Sequence, residues 1–444
     1  MKNTNPGPAF AIATLGCKVN KAESIQIQND LRSHGWHEVP FTNQADVYII
    51  NTCTVTAKSD FQSRQLVRRA LHRNPSARIM LIGCYAQTNP QVFADLPPGS
   101  LILGNRDKGK LAEILTSSAN IPNPPSCGAT DYTRAFLKIQ DGCNGSCTYC
   151  VVPTARGQSF SQEADKVLNQ ARQMIASGYK EIVLTGIHIG YYGLDLVPPI
   201  DFVRLLEQLC ALPGLGRLRI SSLEPTEFSP KLLTLLSGND KICPHFHIPL
   251  QSADDRILQA MERNYSFARY QELLLKLHEM FPCAAKGADV IVGFPGEDEQ
   301  AFADTYQRIE KLPLNYLHVF SYSRRPHTKA AHFLQQIPGK IKKQRSEILR
   351  HLGHEKRQRF YQSQTGSIRP ALILKQQRDD NYLLGLTDNY LKIAVIGGEK
   401  ELINQIVPVE IVKIEGVGAG FPRLFGTVST NYTKGEETSP LPIP

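Results

Sequence analysis

The chain has 444 residues, enough for about three domains of roughly 150 residues that each bury a core. Hydrophobic residues make up 41% and charged residues 20%, which excludes a disordered or fibrous protein. No run reaches the roughly 18–20 apolar residues needed to span a bilayer, and Met1 to Pro8 lack a secretory pattern. The expectation is therefore a cytoplasmic protein with no membrane partner, carrying a formal net charge of +9.

In chain order, residues 8–115 alternate short apolar runs (AFAIATL, ADVYIINT, RIMLIGCYAQ, SLILGNRD) with amphipathic helical patterns (KAESIQIQNDLRSHGW, SDFQSRQLVRRALHRN). That alternation predicts an N-terminal α/β domain with a parallel sheet covered on both faces. In such sheets ligands bind outside the carboxyl ends of the strands. Cys17, Cys53 and Cys84 all fall at or just after three strand ends, so the fold brings them to one edge. Residues 116–130, TSSANIPNPPSCGAT, have no periodicity and read as a linker.

Residues 131–362 begin a second alternation, with strands in AFLKIQDGC, EIVLTGIHIGYYG, RLRISSLEP, HFHIPLQSA, GADVIVGFPGE and YLHVFSYS. Helical patterns separate them, for example DRILQAMERNYSFARYQELLLKLHEMF after Ala253. Six strand–helix units predict a partial (β/α)6 barrel, with its chemistry at the carboxyl ends of the strands. This section ends in one long basic helix over 339–362, with Ile341, Ile348, Leu349, Leu352 and Phe360 at helical spacing. Residues 365–430 change to short β-type runs and predict a small all-β barrel, followed by a polar, Pro-rich tail at 434–444.

Ten cysteines in a cytoplasmic chain point to metal or catalytic chemistry ahead of disulfides. The sharpest signal is the run DGCNGSCTYC, which places Cys143, Cys147 and Cys150 as C-x3-C-x2-C in a glycine-containing loop. Three thiolates can hold three irons of a 4Fe–4S cube and leave the fourth open. An open iron can chelate the amino and carboxylate groups of S-adenosyl-L-methionine, and reductive cleavage of that cofactor then gives a carbon radical. The alternative is a structural zinc loop, which normally takes four N or S ligands, and no fourth Cys or His follows closely. Cys17, Cys53 and Cys84 read together as a second ligand set, although each alone is also consistent with a small buried hydrophobe. Cys210 and Cys243 fit core positions, Cys283 has no functional signal, and Cys127 reads as a linker thiol.

With CNGSCTYC at the end of the first strand of a six-unit barrel, the chain resembles the radical S-adenosylmethionine superfamily. Over residues 9 to 430 it is similar to the methylthiotransferase family, which joins an N-terminal cysteine domain, a radical barrel and a C-terminal TRAM barrel. TLGCKVN, INTCTVT and IGCYAQ match the family's auxiliary-cluster cysteines, and LTGIHIGYYG, RISSLEP, HIPLQS and DVIVGFPGE match its barrel motifs. The resemblance implies two 4Fe–4S clusters, one on Cys143, Cys147 and Cys150 for radical generation and one on Cys17, Cys53 and Cys84 for sulfur insertion. LGCKVN followed by INTCTVT is similar to the branch that acts on N6-threonylcarbamoyladenosine beside the tRNA anticodon. That branch implies sulfur and methyl insertion at adenine C2, with a reductant protein and a sulfur donor as partners. The alternatives are the same chemistry on N6-isopentenyladenosine or on a ribosomal protein. A reading of another class is a non-catalytic iron–sulfur or zinc RNA-binding protein.

Further candidates lie at strand ends. Gly186, Ile187 and Ile189 are expected against the adenine of the cofactor, and Ser221, Ser222, Glu224 and Gln251 against its methionine or ribose. Asp289 either joins them or holds the barrel together, and Arg156 either pairs with the methionine carboxylate or packs. His245 and His247 share a strand face, where core hydrogen bonding is favoured over metal binding. The sequence leaves the family pattern at Gln158-Ser-Phe-Ser after Arg156-Gly157, and at Ala253 where Gly is usual, which leaves the local loop shapes open.

The charge is local. Between Arg324 and Arg359 there are eleven Lys or Arg against Glu347 and Glu355, which equals the whole net charge, whereas residues 365–430 hold seven of each sign. Phosphate attraction dominates non-specific nucleic-acid affinity. Lys340, Lys342, Lys343, Arg345, Arg350, Lys356, Arg357 and Arg359 are therefore the expected tRNA anchor, with the anticodon loop presented to the barrel. The bland reading is a solvated helix face.

Overall fold

The computed structural model describes residues 7–117, 132–375, 382–415 and 423–429. Cys127, nearly all of the expected linker and the expected tail lie outside these residues. Among the described residues no helix is long and apolar enough to cross a membrane.

The N-terminal section runs β1 (Ala9–Thr14), α1 (Lys18–Ser33), β2 (His37–Glu38), β3 (Val47–Thr52), α2 (Ala57–Arg73), β4 (Arg78–Gly83), α3 (Cys84–Thr88), β5 (Leu101–Leu103) and α4 (Leu111–Ser117). Its five strands are parallel in the order β2-β1-β3-β4-β5. β3 is buried at every residue, and its side chains alternate between two cores. Tyr48 and Ile50 pack on one face, Val47 and Ile49 on the other. The run RIMLIGCYAQ is not one strand: β4 stops at Gly83 and Cys84 opens α3. Gly83 has φ +92°, and a Cβ there would stand 2.5 Å from Asn51 Oδ1, so this turn admits only glycine.

The central section runs β6 (Ala135–Lys138), β7 (Gln140–Asp141), α5 (Val152–Arg156), β8 (Phe160–Ser161), α6 (Ala164–Ala176), β9 (Glu181–Thr185), α7 (Phe202–Cys210), β10 (Arg217–Arg219), α8 (Pro230–Ser237), β11 (His245–His247), α9 (Asp255–Ala260), α10 (Phe267–Met280), β12 (Ala285–Val292), α11 (Glu299–Lys311), β13 (Tyr316–Ser321) and α12 (Gly339–Gln364). Two three-stranded parallel sheets, β6-β9-β10 and β11-β12-β13, are joined by single bridges at Leu218–Ile242 and Ser222–His247. The result is the expected six-stranded partial barrel, open between β6 and β13. Residues of one register, such as Leu184, Leu218, Phe246, Val290 and Val319, pack outward under the helices in one core. The other register faces the lumen.

The helical pattern after Ala253 divides into α9 and α10. Glu262 takes a left-handed φ of 55°, and the Ser266 side chain caps α10 by accepting from Arg269 N.

The last section is a closed five-stranded barrel of β14 (Ile368–Ile373), β15 (Tyr382–Thr387), β16 (Lys392–Ile396), β17 (Ile406–Glu415) and β18 (Arg423–Val428), in the order β14-β15-β16-β18-β17. Its β15–β16 turn seats under the central barrel. Buried Arg219 donates to Asp388 O at 2.7 Å and Thr387 O at 3.1 Å, and Arg217 to Leu386 O at 2.8 Å. Both guanidiniums pair with fully buried Glu181 at 2.6 and 2.9 Å, so the floor of the lumen is a buried ionic network with more guanidiniums than carboxylates.

Candidate active site

The C-x3-C-x2-C loop follows β6 and is held by its small residues. A Cβ on Gly142 would meet Gln158 O at 1.9 Å, and Gly142 has φ +70°. Gly145 N donates to Cys143 Sγ at 3.3 Å, and Cys143 N to Gly157 O at 3.1 Å. Thr148 ties the far half of the loop to the end of α9 through Met261 O at 3.1 Å and Ala260 O at 2.8 Å.

Cationic side chains meet two of the three sulfurs. Arg263 Nη1 donates to Cys147 Sγ at 3.2 Å while its other nitrogen pairs with Glu224. His188 Nδ1 lies 3.5 Å from Cys143 Sγ, its Nε2 lies 2.5 Å from Glu227 Oε1, and its ring stacks on Tyr191 at 3.8 Å. Burial pushes the Cys150 thiol up to about 12. A bound cation or cluster there would take the place of that proton. His188, Glu227 and Arg263 did not stand out in the sequence. His188 lies inside the TGIHIG motif, which was its only signal, and Arg263 reaches Cys147 because of the break at Glu262.

The expected cofactor contacts divide. Gln140 joins the two motifs: its Oε1 accepts from Ile187 N at 3.0 Å and His188 N at 2.9 Å, and its Nε2 donates to Gly142 O at 2.8 Å. Gly186 is needed there, since a Cβ would lie 2.5 Å from Ile189 Cγ2 and 2.9 Å from Gln140 Oε1. Ile187 is half-buried at the rim. Ile189 is not available to an adenine, because it is 1% exposed and belongs to the outward core. Ser221 is buried with a hydroxyl that has no hydrogen-bond partner, as expected of a group waiting for a polar ligand. Ser222 is exposed and pairs with β11 through its backbone. Glu224 is committed to Arg263. Gln251 adopts φ 65° and threads its backbone between Asp289 O and Ile291 N. The loop thiols, Gly186 and the orphan Ser221 hydroxyl thus fit an iron–sulfur cube with S-adenosylmethionine on its open iron.

The N-terminal triad lies against this loop. Cys17 occupies the position just before α1, and a Cβ on Gly16 would touch Cys53 Sγ at 2.9 Å. Asn105 Nδ2 lies 3.6 Å from Cys84 Sγ and donates to Ala155 O of α5 at 2.7 Å. The second cysteine set therefore sits on α5, which follows Cys150 directly. Burial raises the Cys53 thiol, with Cys84 and Cys17 near enough to add to the effect. Among the described residues neither set has its three sulfurs within 4.8 Å of one another, the span of ligands on one ion. A single ion would need the sulfurs of either set drawn closer together.

Arg156 is not a cofactor ligand. Its buried guanidinium bonds Asp141 Oδ1 at 2.7 Å, Glu23 Oε1 at 3.3 Å and the Asn20 side chain. Glu23 also pairs with Lys108 at 2.5 Å and Lys138 at 2.6 Å, so the network fastens α1 to the barrel. Burial alone would raise the Glu23 carboxyl, but Arg156, Lys108 and Lys138 outweigh it and hold the group below its ordinary value.

The lumen below the loop is polar. His247 Nε2 and His318 Nδ1 both meet Asp289 Oδ1, at 2.9 and 3.2 Å. Tyr316 Oη lies 2.8 Å from His245 Nε2 and 3.1 Å from His247 Nδ1, and the Tyr390 ring closes the floor by stacking on His245 at 4.3 Å. Asp289 thus orients two imidazoles; His245 is hydrogen-bonded as expected, whereas His247, Asp289 and His318 also converge closely enough to hold a metal ion. On the open side, α1 sends Lys21 over the rings of Tyr132 and Phe136, at 4.6 and 5.1 Å. Burial lowers the pKa of neighbouring Lys18, and Tyr390, Arg219, Arg134 and Asp289 lie near enough to act on its ammonium.

Two members of the expected RNA anchor face inward. Arg345 is buried and pairs with Glu297 at 2.7 Å, and buried Lys356 donates to Glu310 O and Leu312 O at 2.9 Å, capping α11. They hold α12 to the barrel and are not open to a phosphate. Lys342 is half-buried and donates to Tyr322 O at 3.2 Å. Lys340, Lys343, Arg350 and Arg359 are exposed. Arg350 reaches Val319 O at 3.3 Å and Arg357 lies over Tyr316 at 5.9 Å, so this basic face borders β13 at the barrel opening. Cys210 and Cys243 are buried core residues, and Cys283 is exposed.

A family model described as the radical SAM superfamily matches residues 137–309, and one described as uncharacterized protein family UPF0004 matches residues 9–104. The chain is 38% identical to threonylcarbamoyladenosine tRNA methylthiotransferase MtaB of Aquifex aeolicus, over 86% of this chain and 95% of that protein. It is also 38% identical to the protein of the same name from Bacillus subtilis, over 93% and 94% of the two chains. With the tRNA-2-methylthio-N(6)-dimethylallyladenosine synthase of Dictyoglomus thermophilum it shares 30% identity over 91% and 96%. Among solved structures it is similar in fold to the radical S-adenosylmethionine methyltransferase TsrM of Kitasatospora setae, with a TM-score of 0.52 and 14% identity over 73% of this chain and 74% of that one.

Proposed function

The chain belongs to the radical S-adenosylmethionine methylthiotransferases, and on that premise we propose that it methylthiolates N6-threonylcarbamoyladenosine of tRNA at adenine C2. Two 4Fe–4S clusters are part of the proposal, one on Cys143, Cys147 and Cys150 and the other on Cys17, Cys53 and Cys84. When bound, the first supplies reductive cleavage of S-adenosylmethionine and the second holds the sulfur to be inserted. A reductant protein and a sulfur donor complete the set of partners.

The protein's own residues do the rest. Arg263 and His188 offset the negative charge of thiolates at Cys147 and Cys143. Gln140 fixes the spacing between the cysteine loop and the TGIHIG turn. Lys340, Lys343, Arg350 and Arg359 draw the anticodon arm to the open side of the barrel, where an unstacked base can enter.

The observation that carries the substrate choice is the lumen lining. His245, His247, Asp289, Tyr316 and His318 offer donors and acceptors, as a ureido group with a hydroxyl and a carboxylate requires. These groups largely bond one another, but an apolar isopentenyl group would cover them without adding a partner, at a cost in desolvation. The test is nucleoside mass spectrometry of cells lacking the protein. Loss of methylthio-threonylcarbamoyladenosine is expected. Loss of the methylthio-isopentenyl nucleoside in its place would overturn the substrate reading.

A further inference from the structure

The geometry points to Lys18 as the residue that reads the carboxylate of the substrate's N6 substituent, an inference that rests on the threonylcarbamoyl reading above. Among the described residues, the Lys18 ammonium makes no hydrogen bond or ion pair. The other cations around the lumen do have partners. Arg217 and Arg219 hold Glu181, Arg134 reaches the same carboxylate at 3.5 Å, Lys138 holds Glu23 and Asp141, and Lys21 rests on two aromatic rings.

Among the described residues, the carboxylate near Lys18 is already bonded elsewhere. Two of the charges that act on it, Arg219 and Arg134, have its own sign, and the one carboxylate among them, Asp289, is shared by His247 and His318. Lys18 is the first residue of α1, where a cation opposes the helix dipole. A lysine so placed costs stability unless an anion joins it. A cavity of about 640 Å³ opens beside Cys17 and Lys18 and runs along α1 past Lys21 to Glu38, whose carboxylate is already paired with Arg32 at 2.6 Å, so it leaves room for an anion at the Lys18 end.

Reach agrees with this assignment. Lys18 follows Cys17, one of the thiols proposed to hold the transferable sulfur. Adenine C2, which receives the sulfur, and C6, which bears the substituent, flank the same ring nitrogen. A base presented with C2 at the Cys17 site therefore carries its N6 group past Lys18. The carboxylate, absent from an isopentenyl group, is the one charged feature of that substituent.

The experiment compares anticodon stem-loop RNAs bearing either the threonylcarbamoyl group or its carboxamide, which has the same shape without the charge. Reconstituted wild-type enzyme is expected to lose about 10- to 100-fold in kcat/KM on the amide, as for loss of a charge-assisted hydrogen bond. Most of that loss is expected in KM. K18M, matched to wild type for iron content, is expected to treat acid and amide alike, and K18R to keep the preference. Equal rates of wild type on both RNAs would overturn the inference, and need no variant that folds. So would a preserved acid preference in K18M. Failure of wild type on both RNAs, with turnover of an isopentenyl stem-loop, would overturn the substrate reading itself.

Discussion

Arg156 and Glu23 meet across the junction of the N-terminal sheet and the barrel, with Nη1 3.3 Å from Oε1 and both side chains out of solvent. The contact lies between the two cysteine sets: Arg156 ends α5, on which the N-terminal triad rests, and Glu23 stands on α1, which starts beside Cys17. Breaking a buried pair by removing one partner costs about 3–5 kcal/mol, because the other charge stays buried. R156M should lower the unfolding free energy by that order, read by chemical denaturation. Its S-adenosylmethionine affinity at equal iron content should match wild type. A selective loss of cofactor affinity would return Arg156 to the cofactor site.

The same network sets an acid limit. Glu23 and Asp141 are both held below their ordinary carboxyl range against the opposing effect of burial, chiefly by Arg156. Groups with depressed folded pKa values add stability above their unfolded pKa of roughly 4 and lose it as pH falls. Wild-type stability should therefore drop on acidification below roughly pH 4. R156M should show a shallower drop, because less of that stability is present to lose. Unfolding midpoints measured across an acid series check this, and parallel curves would exclude the network as its source.

Gly83 turns the chain from β4 into the helix that begins with Cys84. A Cβ would lie 2.5 Å from Asn51 Oδ1 and 2.6 Å from Thr52 O, with a φ of +92° besides. Strain of this kind costs roughly 1–3 kcal/mol from the backbone alone. G83A should be destabilised by at least that much and should retain about half the iron of the wild type, which would carry about eight per chain. Full iron with normal stability would show that the turn relaxes.

The exposed and inward cations of α12 should separate in experiment. Replacing Lys340, Lys343, Arg350 and Arg359 together with Gln should weaken tRNA binding and reduce its salt slope by about 0.7–0.9 per lost phosphate contact. Thermal stability should hardly change. R345M should do the opposite, destabilising the helix packing while the salt slope stays put. Unchanged tRNA binding in the quadruple variant would make the exposed face only a solvated connector.

Much of this was legible in the residues. Strand–helix alternation gave the parallel sheet and the six-stranded barrel because period-2 and period-3.6 patterns are local properties of the chain. The C-x3-C-x2-C loop and the three cysteines after strands needed only spacing and the rule that parallel strands end on one edge. Arg345 and Lys356 were misplaced, and Arg156 was left open between two roles, because a cation is equally visible in a sequence whether it meets solvent or a buried carboxylate. Ile189 was misplaced because a motif does not say which of its side chains face inward.

The sequence by itself determined which elements form, which residue types hold sulfur and metal, and where the positive charge concentrates. Those follow from hydrophobic period, side-chain chemistry and counting. Tertiary structure decided which charges are neutralised within the protein and which remain to be satisfied. Arg263 found Cys147 through a break in a helix, Tyr390 closed the lumen from another barrel, and Lys18 was left without an ion pair among the described residues. Electrostatic pairing depends on distance through space between segments far apart in the chain, and only the fold supplies those distances.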